Sequence, residues 1–268
     1  MELWLSICIP TYNRSELLSG LLSSIFSAQG NFEVCIFVDG STDNTIDMLS
    51  QFGDRRLKFC SSDNRGRAAA LESAVKMASG RFVMIFDDDD SISPGALQKI
   101  LDDCSRKLTD GCLGYIYLMS DESGNVVGSS LPEGISNFLA LRADYHVTGD
   151  KKEVVLRDEM LRVLWGGGGL YRRVPTSLFW SRLAVRGDVV CRNVVVGQKT
   201  YLANGMSNTI SRLKTRNAWP MVLLYVAHLQ GYLLGRYFSK AFLIKAISGV
   251  FYYSLVETAG RIRRVLGR

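Results

Sequence analysis

Phe82-Val83-Met84-Ile85-Phe86-Asp87-Asp88-Asp89-Asp90 is five apolar residues followed by four acids. Five consecutive apolar side chains without alternation suit a strand buried on both faces. Four adjacent carboxylates end it, because charges ~5 Å apart repel by about 3 kcal/mol at an effective dielectric of ~20. A solvated acidic turn relieves that repulsion in part, and a cation relieves most of it. In an extended segment Asp87 and Asp89 point to one side, Asp88 and Asp90 to the other. An Asp-x-Asp pair offers hard oxygen ligands to a divalent ion that also holds substrate phosphates.

The sequence around this stretch repeats its pattern. Residues 3–9 and 32–38 are further apolar runs, and residues 57–60 form a shorter one. Between them Leu17, Leu18, Leu21, Leu22, Ile25 and Phe26 recur at helical spacing, while 46–52 and the alanine-rich 68–78 also read as helices. Ser93-Pro94 predicts the N-cap and first residue of a helix carrying Leu97, Ile100, Leu101 and Cys104. Strand–helix alternation with apolar strands predicts an α/β fold, a mostly parallel sheet covered on both faces. Ligands of such sheets bind beyond the C-terminal strand ends. Three polar clusters fall there: Pro10-Thr11-Tyr12-Asn13, Asp39-Gly40-Ser41 and the four aspartates. Asn64-Arg65-Gly66-Arg67 adds cations near the same cleft, able to pair with phosphate or with the aspartates.

The pattern loosens after Gly111. Residues 113–119 read as a strand, 121–125 as a hairpin turn, 177–185 as a helix and 188–196 as a late strand. Residues 136–170 mix polar and apolar pieces. Within them Gly166-Gly167-Gly168-Gly169 reads either as a mobile loop beside the site or as a plain connector.

The 268 residues can bury a full core, and 22% charged residues exclude a disordered chain. The net charge of +6 conceals an asymmetry. Residues 210–268 hold ten Lys/Arg and the single acid Glu257, a balance of +9, so the first 209 residues sum to −3. A uniformly basic nucleic-acid binder is thereby excluded. Six cysteines without a CxxC pair, most inside apolar runs, read as reduced buried thiols. Two histidines, His146 and His228, leave little material for a zinc site or a Ser-His-Asp triad. An N-terminus starting Met1-Glu2, with about seven apolar residues before Pro10, predicts no secretory signal.

The segments Ile9-Pro10-Thr11-Tyr12-Asn13-Arg14, Val38-Asp39-Gly40-Ser41-Thr42-Asp43-Asn44-Thr45 and Gly80-Arg81-Phe82 through Asp90 together resemble family 2 glycosyltransferases. The likeness covers about the first 105 residues, and a weaker match at Phe179-Trp180-Ser181-Arg182-Leu183-Ala184 extends it to about residue 215. It implies the GT-A fold, a Rossmann-like α/β domain over residues 1–215. It also implies a nucleotide-sugar donor, commonly a uridine diphosphate sugar. Pro10, Thr11 and Asn13 would line the nucleotide pocket. Asp39 would contact the base, although Val38 stands where the family usually has a second acid. Arg67, or Arg65, would lie near the nucleotide. Asp87 and Asp88 would approach the ribose and diphosphate, and Asp89 would bind Mg²⁺ or Mn²⁺, which neutralises the departing nucleoside diphosphate.

One departure concerns the catalytic base. Inverting relatives place an acidic pair just before the Trp-x-Arg-Leu-Ala helix, where this chain has Pro175-Thr176. Threonine cannot act as a general base at neutral pH. Asp150 is the favoured substitute, with Asp188 behind it. The tail, residues 216–268, holds the uncharged stretch 219–235 and the stretch 241–256, both short of the ~20 apolar residues that a span needs. Interleaved aromatic and basic residues suit helices lying in a membrane interface. A helical cap packed on the domain and a tight spanning hairpin are the alternatives. An interfacial tail places the enzyme on the cytoplasmic face of the inner membrane, with a polyprenyl-linked saccharide as acceptor in surface polysaccharide synthesis. Two other functions compete. A membrane-bound sugar-nucleotide scaffold without turnover draws on Thr176. A nucleotidyltransferase would want a glycine-rich basic loop after the first strand, which Pro10-Thr11-Tyr12-Asn13 lacks.

Overall fold

Apolar runs without alternation become the centre of one sheet. In the computed structural model, which describes residues 3–93, 95–166, 171, 174–200 and 218–265, the first run is β1 (Leu5–Thr11). On one side it pairs in parallel with β2 (Phe32–Asp39), and β3 (Leu57–Ser62) lies beyond. On its other side is β4 (Phe82–Ile85), also parallel. Every residue of β1, β2 and β4 is buried. The connecting helices are α1 (Ser15–Phe26), α2 (Thr45–Gln51) and α3 (Arg67–Met77).

After β4 comes a two-residue strand, β5 (Ser91–Ile92), and then α4 (Ala96–Ser105). The helix starts later than the Ser93-Pro94 signature predicts. Ser93 donates its N–H to Val196 O at 3.0 Å, so the chain is still extended there, and Gly95 at φ 69° makes the turn into the helix. Pro94 lies outside the described residues.

The second half completes the sheet with β6 (Cys112–Ser120), β7 (Ile135–Ser136), β8 (Lys151–Leu156) and β9 (Asp188–Gln198). The order is β3-β2-β1-β4-β8-β6-β9-β5, with β7 on β9. The predicted turn at 121–125 forms: Asp121 Oδ1 accepts the N–H groups of Ser123 and Asn125, both at 2.9 Å, and Ser120 bridges Val126. Strand β8 runs antiparallel between β4 and β6, a strand that the mixed composition of 136–170 conceals. Around it stand α5 (Phe138–Ala143), α6 (Arg157–Val163) and α7 (Ser177–Arg186).

The core has two faces. One packs α1 and α4 on the sheet through Leu18, Leu22, Ile100 and Leu101. The other packs α3, α5, α6 and α7, and it continues into the tail. The tail forms α8 (Ala218–Leu233) and α9 (Lys240–Val265). Met221, Leu224 and the fully buried Tyr237 join the domain core. Ser181 Oγ lies 3.0 Å from His228 Nε2, and Tyr171 donates its hydroxyl to Glu257 at 2.9 Å. At Gly231 an added Cβ would stand 2.2 Å from Leu139 Cδ1, so glycine lets α8 approach α5. On its outer side α9 exposes Ile244, Ile247, Phe251, Leu255 and Ile262, spaced along one helical stripe. Among the described residues no helix is long and apolar enough to cross a membrane.

Candidate active site

The three polar clusters meet at the C-terminal edge of the parallel strands. Asn13, just past β1 and at φ 51°, donates its N–H to Ser41 Oγ at 2.9 Å and accepts the Thr42 N–H at 2.7 Å. The first cluster is thereby tied to the second. Asp43 Oδ2 accepts the Ser15 N–H at 3.2 Å and its Oδ1 accepts the Thr45 N–H at 3.1 Å, so one carboxylate joins the starts of α1 and α2.

Asp39 is buried at the end of β2, and both its oxygens are engaged. Oδ1 accepts the Arg65 N–H at 2.8 Å and Oδ2 the Gly66 N–H at 2.9 Å. Its role in this structure is to hold the loop that presents Arg67 at the start of α3. Gly40, at φ 73°, closes the arrangement: a Cβ there would come within 2.6 Å of the Asn64 backbone nitrogen.

The four aspartates are neutralised by four cations. Arg14 Nη1 reaches Asp88 Oδ1 at 2.7 Å and Asp89 Oδ2 at 2.8 Å. Arg67 pairs with Asp87. Lys152 Nζ stands 3.3 Å from Asp90 Oδ2 and lies over the Phe86 ring. Lys199, just past β9, is 3.2 Å from both Asp87 Oδ2 and Asp90 Oδ1. Thr11 donates its hydroxyl to Asp88 Oδ2 at 2.7 Å. Pro10 stays buried inside β1.

Charge balance inside a half-buried cluster sets the titration. Burial opposes ionisation of Asp87, but Arg67, Lys152 and Lys199 hold its carboxyl well below the usual range. For Asp88 burial outweighs Arg14 and Thr11, and for Asp90 it outweighs Lys152 and Lys199, so both are raised. Lys199 is raised in turn: burial works against its charge, and Asp87, Asp90 and Asp150 overcome that.

A divalent cation fits one place here. Among the described residues no group of three or more metal-ligating side chains forms a cage. Asp89, however, gives only Oδ2 to Arg14, leaving Oδ1 for a ligand. Mg²⁺ commonly uses one or two carboxylates plus substrate phosphates and water, so a single carboxylate facing a diphosphate suffices.

The structure thus brings together Thr11, Asn13, Asp39, Arg67 and Asp87 to Asp89. Asp150 stands at the rim, its side chain 59% exposed and its Oδ2 3.9 Å from Lys199 Nζ. Thr176 precedes α7 without capping it. Gly167 to Gly169 lie outside the described residues. Sequence reasoning assigns no role to Arg14, Lys152 or Lys199. The four-acid run itself demands such counter-ions, but their positions depend on β8 and β9 packing beside β4.

Comparison with known proteins points the same way. A family model, Glycosyl transferase family 2, matches residues 6–176. The Escherichia coli chondroitin synthase is 32% identical over 127 residues, which are 46% of this chain and 18% of that protein. The E. coli UDP-Glc:alpha-D-GlcNAc-diphosphoundecaprenol beta-1,3-glucosyltransferase WfgD is 37% identical over 87 residues, 32% of this chain and 34% of that protein. The matched stretches therefore span a minority of each relative. Among solved structures, S. aureus TarS 1–349 in complex with UDP-GlcNAc superposes with a TM-score of 0.64 at 20% identity, covering 85% of this chain and 67% of the other. The mannosyltransferase PcManGT from Pyrobaculum calidifontis, in complex with GDP-Man and Mn²⁺, gives 0.57 at 15% identity, covering 98% and 76%. These likenesses establish the GT-A fold.

Proposed function

The chain belongs to glycosyl transferase family 2, and on that premise we propose that it transfers a sugar from a uridine diphosphate sugar to a hydroxyl of a lipid-linked saccharide in bacterial polysaccharide synthesis. The observation that carries this reading is the convergence of Thr11, Asn13, Asp39, Arg67 and the four aspartates on one strand-end edge, where an α/β sheet binds its ligand. The relatives support the substrate class: WfgD is named for UDP-Glc and a diphosphoundecaprenol acceptor, and TarS is solved with UDP-GlcNAc.

Each residue has a task in that reaction. Pro10, Thr11 and Asn13 wall the nucleotide, and Asp39 fixes the loop that aims Arg67 at the diphosphate. Asp87 holds Arg67 and Lys199 in place, and Asp88 does the same for Arg14. Asp89 would hold Mn²⁺ or Mg²⁺, whose chemistry is to neutralise charge that grows on the leaving diphosphate. Arg14, Arg67 and Lys199 stabilise the same charge without needing to reorganise.

The tail supplies the location. The exposed stripe of α9, continued by Leu233 and Phe238 at the turn, carries Lys240, Lys245, Arg261 and Arg263 on or beside it. Apolar side chains flanked by cations suit an anionic membrane surface, in keeping with peripheral attachment at the cytoplasmic face. Calorimetry with UDP, and UDP release from UDP-Glc and UDP-GlcNAc with Mn²⁺, tests the donor half. Micromolar binding and Mn²⁺-dependent release removed by EDTA are expected. Binding without release from any donor, even with membrane extract, would favour the scaffold instead.

A further inference from the structure

On the α7 side of the sheet lies a cavity of about 300 Å³, within the range of small-ligand sites. Its floor is Ile116 and Glu153 of β6 and β8, its walls include Phe138, Met221 and Phe242, and Pro175 and Ser177 at the start of α7 belong to its lining. Because α7 leads into β9, which is parallel to β6, the N-terminus of α7 stands at the same sheet edge as the donor site.

Register brings Glu153 close to the aspartates. Met84 pairs with Val154, so the next step of the antiparallel ladder sets Ile85 against Glu153. Asp87 is two residues beyond the end of β4, roughly 7 Å if the chain stays extended, and alternation would then give it the same face as Ile85. Arg67 of α3, on that face, confirms the side by pairing with Asp87. Lys152, one residue before Glu153, points to the other face and meets Asp90.

Glu153 differs from every acid at the donor edge. It is the one carboxylate lining the cavity, and among the described residues its side chain forms no ion pair and hydrogen-bonds to its own backbone. Lys151 faces the cavity too but donates to Val127 O and Thr148 O, and Arg142 of α5 donates to Val147 O and Gly149 O. Lys245 of α9 is exposed and forms no ion pair among the described residues. His228 of α8 is kept neutral by burial and by Lys245, its pKa near 4.

We propose that this cavity is the acceptor pocket and that Glu153 is the group that takes the acceptor's proton. The assignment rests on the glycosyl-transfer reading above and deepens it. In the step, the acceptor O–H bond breaks and its proton passes to a Glu153 oxygen. The freed electron pair forms the new bond to the sugar's anomeric carbon. The bond from that carbon to the diphosphate oxygen breaks, and its electrons leave with the nucleoside diphosphate. The apolar walls and the rim cation Lys245 select an amphiphile bearing phosphate next to its saccharide. The tail helices then form part of the active site, since α8 and α9 supply a third of the residues that line the pocket.

Burial supports the role. It pushes the Glu153 carboxyl up to about 7, against the pull of Lys152 and Arg142, and Asp150 adds to the rise. A base poised near the working pH is the efficient one.

The test uses the full chain, UDP-Glc and UDP-GlcNAc with Mn²⁺, and GlcNAc-diphosphoundecaprenol as acceptor, with an octyl glycoside of GlcNAc as the phosphate-free arm. Glu153→Gln is expected to lower kcat by about 10²–10⁴-fold with UDP affinity within twofold of wild type, and to abolish the fall in rate below a pH near 7. Lys245→Ala should raise KM for the diphosphate acceptor about tenfold and leave the octyl glycoside unchanged. Asp150→Asn, the competing assignment, should stay within about threefold of wild type. A Glu153→Gln protein within threefold of wild type overturns the assignment, as does a loss that follows Asp150 instead. A wild type that binds UDP and turns over no donor brings down the glycosyl-transfer reading itself, and the assignment with it.

Discussion

Two acidic environments flank the β4–β8 pairing, and they have opposite logic. At the end of β4, four aspartates meet four cations. On β8, Glu153 faces an apolar cavity with no ion pair among the described residues. The first environment pairs every carboxylate with a cation. The second leaves its carboxyl free to exchange a proton. Burial raises Asp88 and Asp90 as it raises Glu153, whereas Asp87, among Arg67, Lys152 and Lys199, is held below the usual range.

That contrast can be broken in several places. The largest effect is expected from Asp89→Asn, which removes the one carboxylate of the four-aspartate run with an oxygen to spare and should lower sugar transfer by about 10³-fold. UDP-release assays with Mn²⁺ check it, and a loss under tenfold would remove Asp89 from the metal site. Next, Ile247→Glu with Phe251→Glu on the exposed α9 stripe should weaken binding to anionic vesicles by at least ~10-fold, given about 1.5–3 kcal/mol per buried side chain. Vesicle sedimentation reads that change, and unaltered binding would unseat the membrane role. Lys199→Met leaves Asp87 and Asp90 one cation short, and transfer should fall about tenfold; steady-state rates at saturating donor measure it.

The smallest effects are in stability, and they should differ in sign. Glu153 has a raised folded pKa, so its stabilising contribution is full below the ordinary glutamate value and is lost as pH rises through about 7. Glu153→Gln should therefore raise Tm by about 2–5 °C at pH 8.5 and leave it unchanged at pH 4. Asp87 is depressed, so its contribution is present above the ordinary aspartate value and is lost as pH falls below it. Asp87→Asn should lower Tm by about 5 °C at neutral pH. Calorimetric scans at the two pH values separate these cases; equal signs would mean that the two environments are alike.

The donor edge is legible in the sequence because its parts are local. Each apolar run is contiguous and ends in its own polar cluster, so β1, β2 and β4 announce both strand and site. Strand β8 begins Lys151-Lys152-Glu153, and its charges find partners only through folding: Lys152 meets Asp90, 62 residues away. No local pattern marks that. The helix start at Ala96 is hidden for the same reason, since the bond from Ser93 to Val196 joins residues about a hundred positions apart. In the tail the apolar stretches 219–235 and 241–256 locate both helices, but α9 runs on to Val265 where the sequence turns basic. The i,i+4 pair of Glu257 and Arg261 at 3.0 Å supports that extension.

The most direct test is mass spectrometry of the lipid product. Wild-type protein, Asp89→Asn and Glu153→Gln would each be incubated with UDP-Glc or UDP-GlcNAc, Mn²⁺ and GlcNAc-diphosphoundecaprenol. The account predicts an acceptor heavier by one sugar residue with wild type, and almost none with either variant, although both variants still bind UDP. An unextended acceptor with wild type across all donors, or equal extension by all three proteins, would contradict it.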